Sequence, residues 1–394
     1  MAYGDTPYDE QLKRAWEEFC DKIKSAGSLI FRDTAPASPL DRATGFQYLS
    51  RYISKALNEM FEFNEPEFPQ LWQLQTPTNK SFGDNPDCTY LVTWLDGKYT
   101  YRIVGNRGTV SWVSFICQTK DFASTSAVLN NSQLKTEWDG SFQITLSAEP
   151  QPGNWLKIPP GPIYLFIRQF FGEWDTEEPM TIRVERVGAE GAAPPPLTPE
   201  RLIRGLQESA DWMVKDSARW VDWVDHYRGK PNQFVVGMPS WVGDGSQQSL
   251  GRSLQFCYWK IQPDEALLME VTPPQCAYWN FELANRWFNS TDYRYRFSSL
   301  NGKQAVFEDD GSVRIAVSHA DPGIPNWLDV AGHCVGMVNQ RWVESQDHPT
   351  PRTTLVKVAD LPRLLPANAR RITNEQRLDQ LRRRKIGVDR RFRV

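Results

Sequence analysis

A plan that occurs twice in the chain constrains its fold more than any other feature. Asp139-Gly140-Ser141-Phe142-Gln143-Ile144-Thr145-Leu146-Ser147-Ala148 runs on to Gly153-Asn154-Trp155-Leu156-Lys157. Asp310-Gly311-Ser312-Val313-Arg314-Ile315-Ala316-Val317-Ser318-His319 runs on to Asn326-Trp327-Leu328-Asp329 and then His333. Each reads as a tight Asp-Gly turn, an alternating strand, a Pro/Gly loop with Asn-Trp-Leu, and a further apolar strand. The match extends upstream, where 256–261, 266–271 and 276–283 correspond in order to strands near Tyr90, Tyr99 and Val110. Trp112 falls near Tyr278 or Trp279, and matched positions differ by about 166 to 172 residues throughout, so the duplication covers most of each β region.

The rest of the chain is helical or connecting. Leu12, Trp16, Phe19 and Ile23 share a helical stripe over 8–24. Ser38 as N-cap, Pro39 and Asp41 start a second helix, with Phe46, Leu49, Ile53, Leu57 and Met60 on one face. Asp96-Gly97, between 90–95 and 99–104, predicts a hairpin. Gly188 to Leu197 is a linker by composition, and Thr198-Pro199-Glu200 opens a long helix to about Tyr227 whose tryptophans are expected to pack on a sheet. A strand over 353–358 and a basic helix over 373–385, held by Leu378 and Leu381, follow the second β region.

The expected class is α+β, mainly β: duplicated β-sandwich or jelly-roll-like units with an N-terminal helical segment and a long bridging helix. The divisions are 1–70 (helical segment), 71–188 (first repeat), 189–252 (linker and helix), 253–345 (second repeat) and 346–394 (basic extension).

Composition narrows the function. With 40% apolar and 24% charged residues over 394 positions, the chain reads as globular. Neither an apolar leader nor a run of about 18 apolar residues occurs, so a cytoplasmic, non-membrane protein is expected. Six dispersed cysteines suggest neither a disulfide framework nor a zinc knuckle. A net charge of −3 gives no reason to expect nucleic acid. From Arg363 onward eleven Lys/Arg face three Asp/Glu, leaving the preceding chain near −11. That polarity suits docking of the tail on an acidic neighbour, its own chain or another copy in a homo-oligomer.

Comparing the two copies separates scaffold from chemistry. Ile144, Leu146 and Ala148 share a strand face in the first, and Ile315, Val317 and His319 in the second. Asp329 stands where the first copy has Lys157, and His333 where it has Gly161. An imidazole near carboxylates suits proton transfer, so His333 and His319 are the candidate catalytic groups, with Asp329 and Asp321 to orient them. The equally weighted structural reading is that both rings pin the Pro-rich turn by hydrogen bonds. His319 and His333 do not share the spacing of a single-element chelate, so no metal is assigned. No Gly-x-Ser-x-Gly elbow, phosphate loop or dinucleotide fingerprint occurs, and no cofactor is expected. Asn280, Asn301 and Arg341 interrupt apolar runs; with Tyr278, Trp279, Trp287 and Trp327 they are candidates to line an aromatic pocket.

Ala266-Leu-Leu-Met-Glu-Val, Cys276-Ala-Tyr-Trp-Asn, Ser299-Leu-Asn-Gly-Lys-Gln-Ala305, Asp310-Gly311, Asn326-Trp-Leu-Asp-Val-Ala-Gly-His333 and Arg341-Trp342 resemble the bacterial proteins with the domain of unknown function twelve-fourteen. Gly83-Asp-Asn-Pro-Asp87 and the Arg-rich tail fit longer members. The resemblance implies a β-sandwich or jelly-roll fold and supplies no settled activity or catalytic residues. The leading expectation is a cofactor-independent enzyme performing acid–base chemistry on a hydrophobic or cyclic small molecule. The alternatives are a non-catalytic binder of carbohydrate- or lipid-like ligands, whose tryptophans stack, and a structural or assembly protein acting through the basic tail.

Overall fold

The computed structural model describes residues 6–119, 124–239, 252–366 and 368–393. The end of the bridging segment, 240–251, on which the boundary at 252 was expected, lies outside them. Two helices open the chain, α1 (Asp9–Ala26) and α2 (Pro39–Leu57). Ser38 caps α2 as its spacing predicts, its hydroxyl accepting from the Asp41 amide at 3.0 Å with Pro39 in the first turn. One turn of π-helix, Asn58–Glu62, leads into the β region.

The first repeat contains β1 (Trp72–Gln73), β2 (Cys88–Asp96), β3 (Tyr101–Asn106), β4 (Trp112–Thr119), β5 (Thr125–Asn130), β6 (Ser141–Ser147), β7 (Asn154–Lys157), β8 (Pro162–Phe170) and β9 (Thr181–Arg186). Helix α3 (Pro199–Tyr227) bridges to the second repeat. There β10 (Phe234–Val236), β11 (Arg252–Lys260), β12 (Glu265–Val271), β13 (Tyr278–Asn285) and β14 (Ser299–Asn301) are followed by β15 (Val313–Ser318), β16 (Trp327–Asp329), β17 (Val335–Val343) and β18 (Arg352–Lys357). A short α4 (Leu361–Leu364) and the C-terminal α5 (Asn374–Phe392) complete the fold.

Strand order states the duplication directly. The first repeat has sheets β1-β2-β8-β4-β5 and β7-β6-β3-β9. Adding nine to every number gives β10-β11-β17-β13-β14 and β16-β15-β12-β18, the sheets of the second. Register fixes the equivalences: Trp112 pairs with Phe170 and Tyr278 with Val343, so Tyr278 is the counterpart of Trp112. Both copies carry one parallel pair, β6 with β7 and β15 with β16. The Asp-Gly turns also match, with Gly140 at φ 82° and Gly311 at φ 78°, a region glycine enters without steric cost.

The hairpin predicted at Asp96-Gly97 does not form. β2 pairs with β1 and β8, while β3 pairs with β6 and β9, so the turn is a corner between two sheets. Burial explains the difference: β2 is covered on both faces, whereas β3 is only half covered. A strand apolar on both sides belongs in an inner sheet, and one apolar on a single side belongs in an outer sheet. Gly97 permits the corner, because a side chain there would collide with the Pro159 carbonyl.

Each sandwich encloses its own core, around Phe115, Ile144 and Leu165 in the first and around Trp259, Phe281 and Ile315 in the second. The inner sheets turn their remaining faces toward each other, with Trp112 and Phe170 against Tyr278 and Val343. Helix α3 covers the rest of the second inner sheet. Trp223 meets Phe256 of β11 edge-on at 4.6 Å and Trp212 stacks on Tyr52 of α2, so both serve packing. Burial of each such ring stabilises by about 1.5–3 kcal/mol.

The basic tail docks on its own chain. Val388 of α5 enters the first core and Leu381 packs on the second. Leu378, expected to make an apolar contact, is 66% exposed, because buried arginines hold the helix instead. Arg377 bonds Asp321 at 2.9 Å, and Arg384 donates to the Tyr293 carbonyl at 3.0 Å. No helix among the described residues is long and apolar enough to cross a membrane.

Candidate functional site

A cleft of about 340 Å³ lies where the N-terminal helices meet the second repeat. One wall is a stripe of α2, Leu40, Thr44, Gln47 and Arg51; the others are 77–80, the loop after β13 with Asp292, Arg294 and Tyr295, and the β16–β17 turn with Ala331 and His333.

His333 reaches this cleft through a strained turn. Ala331 and Gly332 both have positive φ, at 54° and 84°. The Asp329 carboxylate sustains the turn by accepting from the Ala331 amide at 2.8 Å, and its other oxygen takes Arg296 at 2.8 Å. Asp329 therefore orients the backbone that carries His333 and bonds neither imidazole.

The carboxylate on the His333 ring is Asp41, from the first turn of α2. Its Oδ1 lies 2.7 Å from His333 Nδ1, and both side chains are buried. The Ser38 hydroxyl donates to the other carboxylate oxygen, and Trp287 Nε1 donates to the Asp41 carbonyl at 2.7 Å. Burial by itself raises the Asp41 carboxyl; the hydrogen bonds from His333 and Ser38 outweigh it and hold the group below its ordinary range. An ionised Asp41 accepts from Nδ1, and Nε2 has no protein partner among the described residues.

Cations dominate the remaining walls. Lys80 is buried, and its ammonium donates to the Ser290 and Thr291 carbonyls at 2.9 and 3.0 Å. Burial pushes it down to about 8 against the pull of Asp84. Arg51 donates to the Thr78 carbonyl at 3.1 Å and to Asn289 Oδ1 at 3.0 Å. Asp84 is occupied by the Ser290 amide and hydroxyl, at 2.8 and 2.6 Å.

The other predicted site residues lie elsewhere. His319 sits just past β15 and does not line the cleft; its ring is lowered, chiefly by burial, and Nε2 is buried without a partner among the described residues. Asp321 is bound to Arg377. Trp279 and Trp327 are in the core of the second sandwich, with Trp327 Nε1 donating to Ser318 Oγ at 3.0 Å. Trp287 is fully buried behind Asp41. Tyr278, Asn280, Asn301 and Arg341 face inward and grip the 83–87 loop. Tyr278 donates to Asp87 at 2.6 Å, Asn280 to Asn85 at 2.8 Å, Asn301 to Asp87 at 3.0 Å, and Arg341 to the Gly83 carbonyl at 3.1 Å. These four residues join the repeats and do not open onto the cleft. No cluster of three or more His, Cys, Asp or Glu suited to a metal occurs among the described residues.

The sequence reading missed Asp41, Arg51 and Lys80. Leu40, Thr44, Gln47 and Arg51, spaced at helical steps, carried a signal, but a polar stripe on an amphipathic helix reads first as its solvent face.

Comparison with known proteins bears on family and fold. The family described as Protein of unknown function (DUF1214) matches residues 92–172 and 266–338, one segment in each repeat. An uncharacterised protein from Burkholderia cenocepacia, solved by crystallography, is 36% identical, with a TM-score of 0.84 over 89% of this chain and 99% of that one. The chain belongs to the DUF1214 family. The VPA0106 protein from Vibrio parahaemolyticus is a more distant match, 13% identical with a TM-score of 0.47 over 79% of this chain and 98% of that one. No curated protein matches. The DUF1214 segments take in both Asn-Trp-Leu corners and His333, while Asp41 and Arg51 lie outside them.

Proposed function

We propose that this DUF1214 protein is a cofactor-independent enzyme that performs acid–base chemistry on a small molecule held in the cleft, with His333 as the proton-transfer group. The observation that carries the reading is the Asp41–His333 pair at 2.7 Å on the wall of the cleft. Asp41 fixes the tautomer, so Nε2 takes a proton from the substrate, and the imidazolium that forms is stabilised by the carboxylate behind it. Asp329 is a positioning residue, acting through the turn at Ala331. Leu40, Pro77 and Tyr295 offer the apolar contacts for a ring or short chain. The alternative in which tryptophans stack a carbohydrate or lipid-like ligand loses support, since Trp279 and Trp327 are core residues.

A thermal-shift screen of small molecules, followed by assay of the hits for conversion, tests the proposal, because preferential binding to the native state raises stability. Once a substrate is in hand, His333→Asn is expected to lower turnover by about 10²-fold or more, with the fold retained. Full turnover by His333→Asn would refute it.

A further inference from the structure

The cleft is unusual in the balance of its charges. Arg51, Lys80 and Arg294 line it against a single carboxylate, Asp292, whose Oδ1 already accepts from the Arg294 amide at 3.0 Å. None of the three cations makes a hydrogen-bonded ion pair there. Arg51 and Lys80 have only neutral acceptors. Arg294 Nε has Asp389 at 3.8 Å, beyond hydrogen-bond range, and is buried without a hydrogen-bond partner among the described residues. The Thr291 hydroxyl on the same wall is likewise buried and unpartnered.

Burying a cation without a counter-charge is costly, and buried cations normally meet an anion. Here the buried Asp84 acts on both Lys80 and Arg51 through its charge, yet its oxygens accept from the Ser290 amide and hydroxyl and it makes no hydrogen bond to either cation among the described residues. Leu40, Pro77 and Tyr295 line the same cleft and supply its apolar surface. We infer that the cleft binds a small organic anion, its oxyanion group held by Arg51, Lys80 and Arg294 and its apolar body lying against Leu40, Pro77 and Tyr295. The inference rests on reading the His333 cleft as the ligand site and names the class of its ligand. A carboxylate and a phosphate share the recognising chemistry, and both fit a cavity of this size.

Isothermal titration of the full chain with sodium benzoate and, separately, with sodium phosphate, each against sodium chloride at matched ionic strength, tests it. Saturable benzoate binding assigns the group to a carboxylate, and saturable binding of phosphate alone assigns it to a phosphate. Arg51→Gln and, as a second variant should the first not fold, Arg294→Gln are each expected to weaken binding about tenfold or more. His226→Asn, exposed at the end of α3, is expected to leave it unchanged. No saturable binding of either anion, or equal affinity in the Arg variants, would overturn the inference. Binding is read without turnover, so these outcomes are independent of whether His333→Asn loses activity.

Discussion

Asp41 serves two partners with one carboxylate. It closes the N-terminus of α2 through Ser38 and holds His333, 292 positions away in sequence. Its folded-state pKa lies below the ordinary 3.8, so the stability it contributes is present above about pH 4 and is lost as pH falls through the lower folded value. Asp41→Asn is expected to cost about 3 kcal/mol near neutral pH, because it leaves a buried polar partner imperfectly satisfied. Urea unfolding as a function of pH should show that cost shrinking below about pH 4; a constant difference would argue against an ionised Asp41. His333 was legible by comparing the copies, since it replaces a glycine. Asp41 was not, because its place in the helix cap accounted for it fully.

The duplicated elements are held by duplicated side-chain bonds. Asn154 donates to the Lys135 and Gln143 carbonyls at 2.8 and 2.9 Å, and Asn326 to those of Val306 and Arg314 at 2.7 and 3.1 Å. Each also accepts a backbone amide at 2.9 Å, from Lys135 and Val306. Trp155 and Trp327 repeat the pattern on the hydroxyls of Ser147 and Ser318. The Asn-Trp-Leu corner is thus scaffold, as its presence in a copy without histidine implies. Asn154→Ala and Asn326→Ala should each cost about 2–3 kcal/mol in urea unfolding, and a large difference between them would break the equivalence. The strands, the capped helices and the repeat itself could be read from period and turn residues. Pairing at Asp96-Gly97 could not, since an Asp-Gly turn serves a hairpin or a corner equally and only the burial of both β2 faces decides.

At the scale of the whole molecule, two sandwiches become one body through the 83–87 loop and α5. Asp87 collects Tyr278, Asn280, Asn301 and Trp174, drawing on both repeats. Arg384 lies over the Trp174 ring at 4.2 Å while bonding the Tyr293 carbonyl. Asp87→Ala is expected to destabilise by about 3 kcal/mol, measured by thermal unfolding, because four buried donors, on Tyr278, Asn280, Asn301 and Trp174, each lose a bond to its carboxylate. Deleting α5 would uncover Trp174 and both cores, so loss of stability should accompany any change in oligomeric state. The same assembly builds the cleft, from α2 on one side and the second repeat on the other, and no single segment of sequence contains it. The chain has four histidines, so histidine-selective nitrogen-15 labelling gives few ring signals. Titrating the labelled protein with sodium benzoate should shift the His333 ring saturably and leave the exposed His226 and His348 in place. Saturable binding with an unmoved His333 would contradict the assignment of the cleft as the functional site.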